Sequence, residues 1–209
     1  MNETIRPKRQ TLTDLLRSRF KNWLDPVGAG LIRLGITPNT LTLAGLAGNI
    51  VGSIFLARGE FLVGGLVILL MGPLDALDGT MARLKGEPTA FGAFIDSVTD
   101  RYSELLIYGG MLLFYMQRAD AVLGMVTFAA GAGSVLVSYT RARAQSLGYE
   151  AKGGILTRAE RFIVLVPGLI LGYPHIALGI IAILANVTAV QRILAVRNQV
   201  LHQRSKHGT

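Results

Sequence analysis

Phe61-Leu-Val-Gly-Gly-Leu-Val-Ile-Leu-Leu-Met-Gly-Pro-Leu74 runs without a charge into Asp75-Ala-Leu-Asp78-Gly79-Thr-Met-Ala82-Arg83, and after eight more residues comes Gly92-Ala-Phe-Ile-Asp96-Ser-Val-Thr-Asp100. The apolar run alone falls short of the roughly 20 helical residues that cross a bilayer. Continued through Lys85 it is long enough, and the acidic residues then sit towards one end of a membrane helix. Carboxylates in such surroundings are costly unless something cancels their charge. Asp75 and Asp78 are three apart and Asp96 and Asp100 four apart, so on helices each pair projects from one face. Two such helices facing each other bring four oxygen-bearing side chains to a common point. That donor set suits hard divalent cations, Mg²⁺ or Mn²⁺, which also take phosphate oxygens as ligands.

Further apolar runs recur outward from this stretch: Leu41 to Ala57, Leu105 to Met116, Ala121 to Tyr139, Phe162 to Leu171 and Ile176 to Val190. Several become long enough to span only with polar extensions, as in Phe91 to Tyr115. The pattern predicts an all-α integral membrane protein of six transmembrane helices, with the second and third extensions carrying the aspartates. Composition agrees. The 209 residues are 51% hydrophobic and 16% charged, where a soluble domain carries about 25% charged residues. The mean hydropathy is +0.46.

Charge orients the helices. Of the 21 Lys and Arg, all but Arg58 and Arg118 fall on one side when the runs are taken as alternating crossings. Positive-inside bias then places both termini and the aspartate site on the cytoplasmic side of the cell membrane. The same bias explains most of the net charge of +8. A nucleic-acid ligand is not expected, because the basic residues are scattered among loops. The chain has no cysteine, which excludes disulfides and thiolate metal sites. It also lacks the apolar core of a cleavable signal near the N-terminus. Leu12, Leu15, Leu16, Phe20, Trp23 and Leu24 instead recur at helical spacing among Arg17, Arg19 and Lys21. They predict an amphipathic juxtamembrane helix on the membrane face, ended by Asp25-Pro26. The chain thus divides into an N-terminal tail and interfacial helix over 1–30, a six-helix transmembrane catalytic domain over 31–200, and a basic tail over 201–209.

Glycine within a helix is unfavourable by about 1 kcal/mol relative to Ala, so it marks a close approach of backbone, ligand or neighbouring helix. Gly79 and Gly92 interleave the aspartates, while Gly109, Gly110, Gly131 and Gly133 offer close helix contacts. Thr37-Pro38-Asn39-Thr40 reads as a helix start, with a capping Thr and Pro in the first turn. Arg141, Arg143, Lys152, Arg158 and Arg161 cluster between the fourth and fifth runs, on the aspartate side. Guanidinium groups at such a place suit a phosphate.

The order Asp75-x₂-Asp78-Gly79-x₂-Ala82-Arg83-x₈-Gly92-x₃-Asp96-x₃-Asp100 resembles that of the CDP-alcohol phosphotransferase family, matching all eight of its defining positions. The likeness extends to Thr37–Thr40 and to Ser138-Tyr-Thr-Arg141-Ala-Arg143. It implies a membrane transferase with two Mg²⁺ or Mn²⁺ ions held by Asp75, Asp78, Asp96 and Asp100, with Asp75 and Asp96 bridging both. Asp100 would also be the base for the attacking hydroxyl. The resemblance further implies that Pro38, Asn39, Thr40, Gly79 and Arg83 contact the donor, CDP-diacylglycerol, with Thr89 a further candidate. Ser138-Tyr-x-Arg141-Ala-Arg143, followed by Arg158-x₂-Arg161, is similar to the branch that uses inositol 1-phosphate. These four arginines would then hold the acceptor's phosphate, with Arg141 standing where that branch typically has lysine. The product would be phosphatidylinositol phosphate, with CMP released. The resemblance also implies a homodimer among membrane lipids.

Two other readings compete. Glycerol 3-phosphate also offers a phosphate to arginines, as a phosphatidylglycerophosphate synthase would require. An ion-coupled membrane transporter also carries intramembrane carboxylates, but transporters often show repeated halves and no second copy of the aspartate array exists.

Overall fold

The computed structural model describes residues 24–86, 89–151 and 153–207. Among them there is helix and loop but no strand. Helical residues 24–33, here α1, are followed by α2 (Pro38–Ala57), α3 (Phe61–Leu84), α4 (Ala90–Gln117), α5 (Ala121–Ser146), α6 (Arg158–Ile170) and α7 (Pro174–His207).

Local chemistry starts these helices where the sequence indicates. Thr37 caps α2, its side chain accepting from the Thr40 N–H, with Pro38 in the first turn. Thr89 caps α4, its hydroxyl accepting from the Gly92 N–H at 2.9 Å. The turns after α2, α3, α5 and α6 use Gly59, Gly86, Gly148 and Gly172 at positive φ.

The helices from α2 to α7 close a ring. Each packs on two others, in the order α2, α3, α6, α7, α5, α4 and back to α2. Its core is apolar and includes Leu56, Ile68, Met111, Leu169, Leu178 and Ile181, all essentially inaccessible. The outer surface carries large apolar side chains such as Leu70, Phe128, Ile183 and Val190. Apolar side chains both inside and outside the ring are what helices surrounded by lipid carry. Helix α1 packs at the aspartate end, where Leu24, Leu31 and Ile32 meet a second small core of Leu41, Leu77 and Met81.

Four helices (α2, α3, α5 and the Pro174–Gln203 part of α7) are long and apolar enough to cross a membrane. The other two expected spans differ for physical reasons. Helix α4 carries Asp96, Asp100, Arg101 and Glu104 between its start and its middle, and α6 has only 13 residues. The amphipathic helix expected before Trp23 lies outside the described residues. Asp25-Pro26 does not end a helix, since both lie within helical residues 24–33. A proline forfeits its own N–H, but the residues after it are free to continue the helix. The expected boundaries at 30 and 200 both fall inside helices, the first within α1 and the second within α7, which continues without interruption to His207.

Arg58 and Arg118 follow α2 and α4 at the end away from the aspartates. There the Arg118 guanidinium lies 4.4 Å from the centre of the Phe114 ring, which also packs against Gly59.

Candidate functional site

Helices α2, α3, α4 and α6 bring their polar ends together on one side of the ring. Asp75 and Asp78 come from the second half of α3, and Asp96 and Asp100 from the first half of α4. Asp78 is buried and its Oδ2 accepts from the Thr42 hydroxyl of α2 at 2.7 Å. Asp78 lies within electrostatic reach of Asp75 and Asp96, and Asp100 within reach of Asp75 and Asp96. The four carboxylates therefore act on one another, although they do not meet at the common point that their spacing predicts.

Arg158, at the first turn of α6, answers their charge. Its Nη2 donates to Asp75 Oδ2 at 2.6 Å and lies 2.7 Å from Asp100 Oδ1. One cationic nitrogen thus spans carboxylates from α3 and α4. Among the described residues, no three acidic or histidine side chains converge on a single point at metal-binding range. Even so, all four side chains are hard oxygen donors, and the point between Asp75 and Asp100 already attracts a cation. The donor set fits a divalent ion in chemistry and in charge.

The residues expected on the donor side gather at the same end. Asn39, in the first turn of α2, lies near Gly92, since a side chain built on Gly92 would come within 3.7 Å of Asn39 Oδ1 and 3.0 Å of Thr89 Oγ1. A side chain on Gly45 would approach Asp75 Oδ1 at 3.7 Å. Arg83, one turn beyond Gly79, is exposed and donates to Thr80 Oγ1 at 2.9 Å. Asn39 and Thr89 thus meet at Gly92, while Thr37, Pro38 and Thr40 lie at the start of α2 and Gly79 and Arg83 near the end of α3.

The four expected acceptor arginines have different surroundings. Arg141 and Arg143 are exposed near the end of α5, where Arg143 Nη1 lies 3.3 Å from Ser146 Oγ. Arg158 is half exposed, whereas Arg161 is only 2% exposed. Arg161 Nε donates to Glu104 Oε1 at 2.8 Å, and its Nη1 donates to the Leu156 carbonyl at 3.3 Å. Lys152 lies outside the described residues.

Three groups were missed by the sequence reading. Glu104 continues the Asp96, Asp100 series at the same four-residue spacing, and that signal was available. Thr42 and Arg192 gave no local signal. Arg192 is buried on α7, where its Nε donates to the Gly153 carbonyl at 2.9 Å and its Nη1 donates to the Val137 carbonyl. Thr188 and Gln199, also on α7, hold the same loop. Thr188 Oγ1 accepts from the Leu156 N–H at 3.0 Å, and Gln199 pairs with both backbone groups of Glu150 at 3.0 and 2.6 Å.

A sequence profile of the CDP-alcohol phosphatidyltransferase family matches residues 35–195. A phosphatidylinositol phosphate synthase of Streptomyces avermitilis is 40% identical over 204 residues, covering 90% of this chain and 83% of that one. An archaetidylinositol phosphate synthase of Pyrococcus horikoshii is 38% identical over 85% of this chain and 93% of its own. Among solved structures, the phosphatidylinositol phosphate synthase of Mycobacterium tuberculosis with CDP-diacylglycerol bound superposes with a TM-score of 0.78 at 29% identity, covering 83% of this chain and 92% of the other. The same enzyme in complex with manganese and citrate gives a TM-score of 0.79 at 29% identity, over 83% and 88% of the two chains.

Proposed function

Because the chain belongs to the CDP-alcohol phosphatidyltransferase family, we propose that it transfers the phosphatidyl group of CDP-diacylglycerol to inositol 1-phosphate, giving phosphatidylinositol phosphate and CMP. The observation that carries this reading is the bridge Asp75–Arg158–Asp100 inside a field of four carboxylates. A phosphate-binding type of side chain and a cation-binding set of oxygens meet at one point, as transfer between two phosphate-bearing substrates requires. Relatives that differ in the lipid they are named for share the inositol phosphate headgroup in their names. That favours inositol phosphate over glycerol 3-phosphate as acceptor.

Asp75, Asp78, Asp96 and Asp100 would hold two Mg²⁺ or Mn²⁺ ions; manganese accompanies the Mycobacterium tuberculosis enzyme in one of its structures. Bound there, the ions would offset the charge of the pyrophosphate and of the oxygen that departs with CMP. The chain's own groups do the rest. The first turn of α2 (Pro38, Asn39 and Thr40) and Thr89 border the place for the donor's nucleotide. Gly79 leaves room beside it, and Arg83 offers a fork to the pyrophosphate. Arg141, Arg143 and Arg158 expose donors to the acceptor's phosphate, with Arg161 behind them. Asp100 accepts the proton of the attacking hydroxyl. We place the site and both termini on the cytoplasmic face of the cell membrane, and a homodimer accords with the family.

The test is CMP release by the purified full chain in lipid nanodiscs. CDP-diacylglycerol is supplied with inositol 1-phosphate, glycerol 3-phosphate or free inositol, before and after chelation. Release is expected with inositol 1-phosphate and is expected to fall to background with EDTA, returning with Mg²⁺ or Mn²⁺. Consumption of glycerol 3-phosphate alone would reassign the acceptor. Release indifferent to EDTA would remove the metal from the reading.

A further inference from the structure

Two ion pairs cross between α4 and α6, one above the other. Asp100 and Glu104 lie four apart on α4, and Arg158 and Arg161 three apart on α6, so each set shares a helix face. The upper pair is Arg158 with Asp100 at 2.7 Å, and the lower is Arg161 with Glu104 at 2.6 Å. The two helices are not adjacent in the ring. Helix α6 packs chiefly on α3 and α7, and α4 chiefly on α2 and α5. Long charged side chains therefore make the main described link between α4 and α6.

The two pairs differ in accessibility. The Arg158 side chain is 43% exposed and that of Arg161 is 2% exposed. Arg161 also grips the Leu156 carbonyl, while the Leu156 N–H is held by Thr188 of α7. The lower pair thus anchors both the first turn of α6 and the loop that enters it. We propose that Glu104 is a positioning residue: by fixing Arg161 it sets the first turn of α6, and so places Arg158 where the acceptor's phosphate binds. This rests on the acceptor reading above, and it makes Arg161 a support for that phosphate site in place of a direct contact. Glutamate is suited to the task in both charge and reach. Glutamine keeps the shape without the charge, and aspartate keeps the charge one methylene short.

The chain has no cysteine, so a spin-label pair is introduced cleanly at Tyr102→Cys on α4 and Ile163→Cys on α6, both outward-facing. Pulsed electron–electron distance measurements are made on the full chain in nanodiscs, together with KM values for both substrates. Glu104→Gln is expected to broaden the distance distribution and to raise the KM for the alcohol phosphate about tenfold. The KM for CDP-diacylglycerol should stay within twofold, and Glu104→Asp should recover most of the loss. Should Glu104→Gln fail to fold, Glu104→Met with Arg161→Met removes both charges together, and the same broadening and the same KM rise are expected. Unchanged distances, an unchanged acceptor KM, or equal losses for both substrates in either variant would overturn the proposal. A wrong acceptor assignment looks different: the unmutated protein would show no saturation with inositol 1-phosphate, while the distances would still respond to Glu104→Gln.

Discussion

Arg158 Nη2 sits within 2.7 Å of carboxylate oxygens from two helices, and its half-exposed side chain offers other donors to a ligand. The buried Arg161, with its carboxylate and carbonyl partners, has no such exposure. Asp100 belongs to the more exposed arginine's pair, and its two proposed duties, cation ligand and proton acceptor, both require the charge. Asp100→Asn keeps the shape and loses both. Its CMP release at saturating Mg²⁺ is expected to fall below a tenth of the unmutated rate in the nanodisc assay, with the helical circular dichroism unchanged. Retention of more than a tenth would remove the base role. The aspartates were legible because their spacing is internal to single helices, and 3.6 residues per turn converts it directly into a shared face. Thr42 and Arg192 were not, because their partners stand 36 residues away in one case and 39 and 55 in the other. Glu104 lies between these cases: its spacing was visible, but its partner Arg161 was not.

Among elements, adjacent glycines separate two meanings that the sequence does not distinguish. Gly109 and Gly110 both sit in α4, and both were expected to serve a close helix contact. A Cβ on Gly110 would strike the backbone of Ser53 in α2, including its carbonyl oxygen, whereas one on Gly109 meets nothing within 4 Å. A backbone obstacle cannot rotate away. Gly110→Ala is therefore expected to be destabilising by about 1–3 kcal/mol. For a chain of this size that is a fall of roughly 2–4 °C in the unfolding midpoint per kcal/mol. Gly109→Ala is expected to leave the midpoint unchanged or raise it, since alanine favours helix over glycine. Thermal unfolding in detergent, followed by fluorescence, compares the two. Gly131 against Tyr108 and Gly133 against Asn186 extend the pattern: the close contacts of this glycine-rich region are made within the chain. Small residues announce that some backbone approaches closely, but which one depends on the ring order.

For the whole molecule, the question is how the ring sits in the bilayer. Helix α6 is 13 residues long, about 20 Å at 1.5 Å per residue, against a hydrocarbon core of about 30 Å. If its far end at Leu171 reaches the surface opposite the site, its first turn lies some 10 Å beneath the near surface. Arg158, Asp75 and Asp100 would then sit at a depth that a lipid donor reaches from the bilayer and a water-soluble acceptor reaches from the near side. That also explains why α4 carries charge and α6 is short, because their polar turns lie at the aspartate end and the ring shields them. Six crossings require the turns at Ala119 and Tyr173 to lie on one face and Gln145 on the other. Single cysteines placed at these three exposed positions in the cysteine-free chain test this with a membrane-impermeant thiol reagent. Ala119→Cys and Tyr173→Cys are expected to label in intact cells, and Gln145→Cys only after the membrane is opened. Labelling of Tyr173→Cys together with Gln145→Cys would mean that α6 turns back without crossing, leaving the site on a re-entrant segment.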